Sequence, residues 1–526
     1  MTSSDPLRPL LLLLALLYYS SYAWLKAFNW GDEGYLHYVA FALQSGQKLY
    51  DDIQVYSYLP GLFLLFQSIF ELFGAGVFQG RILMMAGLVL VPMVFYATAS
   101  RFVPTRLAFL MALILLLVPG PWDRSYIALL NLGLLAGACS ILGDSPGRGG
   151  THFGLMLGLA LTLRIDAAYG GLILLLTCGA LRWWQRDGSL EERPFAWLWP
   201  TLGTTLLAGS PVWLVLASQG ILDDYGQQWF GFGGAMAHRI GVERLPPPPL
   251  TALGAWSWTG LNAWIFYGSF VPFLLLLQET LRRFWESRPG VLRQEAALRI
   301  LLCVWCLLQI PQYALERPDT PHLSQRAFAI LLALAVALHA AWGRSGLFPR
   351  IVAALMMAYG VFYPLKMIAA NEADTGFITL LGLGRNVSWH PLPNGVSCPF
   401  SLPATPGTED DYQRIITYII NNTTPNDRVA TLPWQPGINF CAQRLMPGRH
   451  LFLFPEFMRP GIEEVVIADL SKASTRFIVL FPDLQLHQTP ASLPAVFMPQ
   501  VMAHLAHHET VLEGPGVRLL RRPDPP

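Results

Sequence analysis

The chain has 526 residues, 53% of them hydrophobic and only 13% charged, with a mean hydropathy of +0.42. Soluble globular proteins carry about 25% charged residues, so the composition excludes an ordinary soluble domain and points to an integral membrane protein with many helices. A formal net charge of +1 supplies no field for nucleic acid, and none is expected as a partner.

The first apolar run, "PLRPLLLLLALLYYSSYAW", has the basic residue, greasy core and small-residue site of a signal peptide. It continues through Trp24 and Leu25, however, and is long enough to span, so residues 7–26 are read as an uncleaved anchor with Arg8 on the cytoplasmic side. A long outer loop, 27–76, follows. It contains a helix starting near Asp32 and then "YDDIQVYSYLP". The segment "PGLFLLFQSIFELFG", 60–74, opens with a proline suited to a first helical position. At 1.5 Å rise it reaches only about 22 Å, short of the roughly 30 Å hydrocarbon core, so it is read as an interfacial helix.

Apolar runs at 77–98, 106–119, 125–143, 151–164, 167–182, 195–217, 262–281, 300–314, 327–342 and 351–369 then alternate cleanly, which makes about 11 spans in all. Arginines mark the inner loops, above all Arg282, Arg283, Arg288, Arg293 and Arg299. The outer loops carry "PGPWDRS", the tip "RID", a long 218–261 segment with a stiff "PPPP", and "ERPDTPHLSQR".

The tail, 370–526, falls outside. There "TEDDYQRIITYIINN" reads as an acidic-capped amphipathic helix and "DRVATLP" and "TRFIVLF" as short buried strands. The expected architecture is mainly α: a polytopic transmembrane helical bundle over 1–369, with a C-terminal extracytoplasmic α/β domain over 370–526. Cys139, Cys178, Cys303 and Cys306 lie in apolar runs and read as core. Cys398 and Cys441 lie in the tail and could form a disulfide if the tail is outside the cytoplasm, a pairing the sequence leaves open. Asn386, Asn421 and Asn422 sit in glycosylation sequons.

The acids are asymmetric. Outer loops hold Asp32/Glu33, Asp51/Asp52, Asp123, Asp166, Asp223/Asp224 and Asp319. Depletion of Lys and Arg outside explains part of this. It explains Asp32/Glu33 less well, because the pair sits at the first turn of a helix beside a span end. Adjacent helical residues point about 100° apart, so one carboxylate can cap or orient while the other faces a cavity as a general base. Arg164 and Asp166 read either as a local ion pair or as part of a pathway. Arg317, Asp319 and His322 in "RPDTPH" together suit recognition of a phosphate, with Arg317 as a fork donor. No Walker loop, HExxH, GxSxG or zinc spacing occurs. Asp51-Asp52 resembles a metal pair, but a hard cation needs more ligands than two carboxylates supply. No cofactor is expected; a divalent metal is conceivable but unsupported.

One stretch, "WGDEGYLHYVAFALQSGQKLYDDI…YLPGLFLLFQSIFELFG…GR", resembles the first extracytoplasmic loop of GT-C membrane glycosyltransferases. The likeness is to the protein O-mannosyltransferase branch that includes bacterial lipid A aminoarabinose transferases. It rests on the Asp32-Glu33 pair, the turn ending in Tyr50-Asp51-Asp52, Pro60-Gly61 opening the interfacial helix, and Gly80-Arg81. It covers roughly residues 25–125, and the later "RPDTPHL" resembles a motif of related bacterial members. The resemblance implies an inverting transfer of a sugar from a polyprenyl-phosphate donor to an extracytoplasmic glycan, lipid or protein acceptor, without a metal. It makes Asp32 the base, Glu33 its support, and Asp123 a second outer-loop acid. The "RID" tip departs from the expected basic pattern, which leaves the donor phosphate between Arg164 and Arg317. The expected setting is a bacterial inner membrane with the tail on the outer side. A lipid or polysaccharide transporter or flippase would show repeats and mid-span acids. An assembly scaffold or sensor would explain the tail but not Asp32/Glu33.

Overall fold

The computed structural model describes residues 5–26, 28–55, 59–117, 124–143, 145–185, 195–227, 267–286, 291–311, 325–342, parts of 351–360, 386–402, 409–450, 453–455, 458, 460–484 and 493–522. Most of these residues are helical. The chain divides into two compact units, each interrupted in sequence: Met1–Ser20, Met84–Pro211 and Glu243–Phe377 make one, and Ser21–Leu83, Val212–Val242 and Ile378–Pro526 the other.

The helices follow the apolar runs. They begin with α1 (Leu7–Leu25), α2 (Asp32–Gln44), α3 (Pro60–Phe73), α4 (Val77–Ala99), α5 (Thr105–Leu117), α6 (Ser125–Leu142), α7 (Pro146–Leu163), α8 (Ile165–Gln185) and α9 (Leu198–Gln219). Helices Phe270–Glu286, Val291–Pro311 and Ala327–Trp342 come later. Among the described residues four helices, α4, α6, α8 and α9, are long and apolar enough to cross a membrane. The chain is a multi-pass integral membrane protein. The expected last span, 351–369, lies largely outside the described residues.

In the first unit, α7 packs through a glycine ladder. A Cβ on Gly150, Gly154 or Gly158 would overlap the backbone of Trp197, just before α9, or of Thr201 or Thr205 within it. Thr205 Oγ1 donates to Gly154 O at 3.1 Å and Thr204 Oγ1 to Thr151 O at 3.0 Å. Small residues four apart let helix backbones touch in lipid, where no hydrophobic force draws helices together. The arginine-rich segment read as an inner loop after residue 281 is partly helical, and several of its arginines are paired with acids. Helix Phe270–Glu286 extends through Arg282 and Arg283, and Val291–Pro311 contains Arg293 and Arg299. Arg282 and Arg283 both bond Glu279 (2.7 and 3.0 Å), while Arg283 and Arg299 both reach Glu295 at 3.1 Å.

In the second unit, α3 buries Leu62, Phe63, Phe66 and Phe70 and exposes Leu65, Leu72 and Phe73. It is a short helix with an apolar face turned outward. Strands β1 (Asn386–Pro391) and β2 (Ser397–Leu402) form a hairpin. Strands β3 (Arg428–Leu432), β4 (Thr475–Leu480), β5 (Glu509–Gly514) and β6 (Val517–Arg521) form a sheet in the order β3-β4-β6-β5, parallel only between β3 and β4. The helix expected at the acidic cap spans Glu409–Asn422.

The first loop packs on the tail within this unit. Gly437 N–H donates to Trp30 O (2.9 Å), Met446 N–H to the Tyr38 hydroxyl (2.8 Å), and Gln54 N–H to Arg449 O (2.8 Å). Cys398 and Cys441 form a disulfide with Cα atoms 6.5 Å apart. Cys139, Cys178, Cys303 and Cys306 are buried free thiols.

Candidate active site

The start of α2 is built by reciprocal capping. Asn29 Oδ1 accepts from the N–H groups of Gly31 and Asp32, each at 3.1 Å, and Asn29 N–H donates to Glu33 Oε2 at 3.2 Å. Donors at a helix N-terminus lack partners within the helix, and this side-chain exchange satisfies them as a capping box does.

The two adjacent carboxylates separate in role. Glu33 is fully buried and receives a fork from Arg81: Nε to Oε1 at 2.8 Å and Nη2 to Oε2 at 3.2 Å. Arg81 is fully buried too, and its Nη1 donates to the carbonyls of Ala23 (3.0 Å) and Lys26 (2.8 Å) at the end of α1. Its guanidinium carbon lies 5.5 Å from the Trp389 ring centroid. One arginine thus neutralises Glu33 and satisfies the last carbonyls of α1, tying the end of one helix to the start of the next. Gly80 precedes it because a Cβ there would strike the His37 and Phe66 rings. Asp32, by contrast, is only partly buried.

His37, one turn along α2, is fully buried among the rings of Phe28, Phe66, Phe70 and Phe440. Its Nδ1 lies 2.8 Å from Glu33 O and its Nε2 3.2 Å from Val77 O. Burial lowers its pKa and Arg81 adds to this, outweighing the upward pull of the Glu33 carboxylate and the two carbonyls. A histidine whose folded pKa is depressed takes up its proton more readily when unfolded. The stability it lends is whole above about pH 6.5 and declines as pH falls below that value. The thermal midpoint of the wild type is therefore expected to drop between pH 7 and pH 5 more steeply than that of His37→Gln. Equal slopes would remove His37 from the acid response.

The first unit carries a second polar cluster. Arg164 occupies the extended residue between α7 and α8, and Asp166 lies in the first turn of α8. Arg164 Nε is 2.5 Å from Asp166 Oδ1, and Arg326 Nη2 is 3.0 Å from Asp166 Oδ2. The chain of contacts continues from Arg326 Nη1 to Gln309 Oε1 (2.9 Å) and from Gln309 Nε2 to Asn131 Oδ1 (3.0 Å). Two arginines thus meet on one aspartate.

The turn of the first loop uses its residues differently. Asp52 Oδ2 accepts the Lys48 N–H at 2.9 Å, and Tyr50 N–H donates to Ile53 O at 2.7 Å with Tyr50 in the left-handed region at φ 66°. Tyr50 is buried, which raises its phenol above the usual range, whereas Asp51 and Asp52 are exposed. Asp123, Arg317, Asp319 and His322 lie outside the described residues. Among the described residues no cluster of three or more His, Cys, Asp or Glu offers a metal site.

No protein-family model matches the sequence, and no curated protein matches it. Solved structures do. ArnT from Cupriavidus metallidurans bound to undecaprenyl phosphate aligns over 97% of this chain and 97% of its own, at 13% identity and a TM-score of 0.55. Its apo structure aligns over the same shares at 13% identity and a TM-score of 0.54. The chain shares the fold of ArnT. The apo oligosaccharyltransferase of Archaeoglobus fulgidus also aligns, at 12% identity over 96% of this chain and 73% of that one, with a TM-score of 0.48. ArnT is a GT-C glycosyltransferase, so the fold is of the kind that the first-loop resemblance implies.

Sequence reasoning missed Asn29, His37, Gln309, Asn131 and Arg326 as working residues. Asn29, four residues before Glu33, was the signal of a cap. Asn131 and Gln309 were polar residues inside apolar runs, which are rarely without a partner.

Proposed function

We propose that the chain is an inverting glycosyltransferase that moves a sugar from a polyprenyl-phosphate donor to an extracytoplasmic glycan, lipid or protein acceptor. The observation that carries this reading is the ArnT fold over 97% of both chains, in a protein whose structure holds undecaprenyl phosphate. The placement of Asp32 agrees with it: the partly exposed acid of its pair starts a helix whose other acid is neutralised by Arg81.

In this scheme the Asp32 carboxylate takes the proton of an acceptor hydroxyl. The acceptor oxygen then attacks the anomeric carbon from the face opposite the leaving group. The bond from that carbon to the phosphate oxygen breaks, and the polyprenyl phosphate departs with its electron pair, so configuration inverts. The leaving group is already stabilised as a phosphate, and help comes from orientation and from a cation facing the departing charge. Arg317 and Arg164 are the two candidates, with Asp123, Asp166, Asp319, His322, Tyr50, Asp51 and Asp52 assigned to substrate recognition. The scheme uses no metal ion. Glu33 is a positioning residue that acts through Arg81 and the start of α2. The Cys398–Cys441 disulfide supports a tail on an oxidising, outer side of the membrane; the bacterial inner membrane is the setting that the first-loop resemblance implies.

The test is transfer of labelled sugar from polyprenyl phosphate to acceptors in envelope membranes, with released polyprenyl phosphate measured in parallel. Stoichiometric release is expected, with a raised apparent KM for the donor in Arg317→Ala. An unchanged KM moves the phosphate to Arg164, and no release from any polyprenyl-phosphate sugar overturns the reading.

A further inference from the structure

The tail carries a second site unrelated to Asp32. Because β3 and β4 are parallel and β6 runs against β4, the starts of β3 and β4 and the end of β6 lie along one edge of the sheet. The sequence puts arginine at each of these ends: Arg428, Arg476 and Arg521, with Arg522 beyond. Helix Glu409–Asn422 finishes at the same edge in "NNTT". Between them is a cleft of about 560 Å³ lined by, among others, Tyr418, Asn422, Thr424, Arg476, Phe477 and Arg522. That volume lies within the usual range for small-molecule sites.

Its charge is not cancelled by its own acid. Asp427 lines the cleft but is held by the Thr424 N–H and hydroxyl, both at 2.8 Å, and by Arg476 Nε at 3.1 Å. Burial pushes its carboxyl up, yet these bonds outweigh that and hold it below the usual range. Arg521 is held by Glu509, its Nε donating to Oε2 at 3.0 Å, so Arg476 and Arg522 are the arginines left to the cleft beside one already committed aspartate. Arg476 is 62% exposed, and Arg522 spends Nη1 on Ser471 O at 2.7 Å. An arginine fork presents five donors, so both arginines keep N–H groups for an anion. The turn that frames the cleft is fixed from behind: Arg444, almost fully buried, donates to the Thr423 hydroxyl and carbonyl, both at 2.8 Å.

Beside the cations stand neutral groups of another kind. Phe477 and Tyr418 pack edge to face with centroids 5.7 Å apart, and the Asn422 amide and Thr424 hydroxyl lie along the same wall. A ring surface next to amide and hydroxyl groups suits the apolar face and hydroxyls of a sugar. An arginine pair suits its phosphate or carboxylate. We propose that this cleft binds an acidic carbohydrate, its anion held by Arg476 and Arg522 and its hydroxyls read by Asn422 and Thr424.

The test is calorimetric titration of the full-length protein in detergent, produced without glycans on Asn421 and Asn422. Glucose 6-phosphate, glucuronate, glucose and inorganic phosphate are the probes. At least one acidic sugar is expected to bind tenfold or more tighter than both glucose and inorganic phosphate, and about tenfold weaker to Arg476→Gln and to Arg522→Gln at unchanged thermal midpoints. Asp32→Asn is expected to bind like the wild type, which separates this site from the transfer reaction. Acidic sugars no tighter than phosphate, or an affinity untouched by both substitutions, overturn the proposal.

Discussion

Asp32→Asn is expected to reduce sugar transfer by a factor of about 10² to 10⁴, the range lost with a general base. The substitution keeps the size of the side chain and removes only its ability to take a proton. The start of α2 is expected to survive, because the cap bond at this position is made by the Asp32 backbone N–H to Asn29 Oδ1, which any residue supplies. Membrane insertion, thermal midpoint and donor binding should therefore stay at wild-type values while turnover collapses. Turnover within tenfold of wild type removes Asp32 from the base role. Loss of folding together with activity makes its part structural.

Breaking the Glu33–Arg81 pair is expected to have the largest effect on stability. Both side chains are fully buried. Removing one partner leaves a charge without compensation in a low-dielectric interior, a loss of about 3–5 kcal/mol. Arg81→Met also strands the carbonyls of Ala23 and Lys26, and Glu33→Leu leaves the Asn29 N–H without its acceptor. Each single variant is expected to lower the thermal midpoint sharply. The double variant Glu33→Leu/Arg81→Met removes both charges and is expected to regain much of the loss. Single variants as stable as wild type would show that the pair does not hold the loop. The double variant also decides the role of Glu33. Transfer recovered along with folding marks it as a positioning residue, and folding without transfer would place it on the substrate.

Much of this protein was legible from residue type and spacing. The apolar runs predict α1 and α4 to within about two residues, because in hydrocarbon a helix must satisfy its own backbone and its length is set by the bilayer. "TRFIVLF" and "DRVATLP" were readable as strands for a similarly local reason: a short apolar run bounded by polar residues. The Asp32/Glu33 anomaly was visible too, since an unbalanced acid pair at a membrane edge departs from composition alone.

What needed the tertiary structure was partnership. Nothing local says that Arg81, 48 residues along the chain, closes on Glu33 rather than on Asp32, and that choice separates the proposed base from its support. Arg326 reaches Asp166 across 160 residues, and Cys398 meets Cys441 through a fold that periodicity does not encode. The arginines of the tail show the same limit. In the sequence they are separate residues at strand ends, and they become one cationic cleft only because β6 is inserted antiparallel beside β4. Helix and strand formation depend on neighbours within a few residues, whereas ion pairs and clefts depend on which distant segments the core brings together.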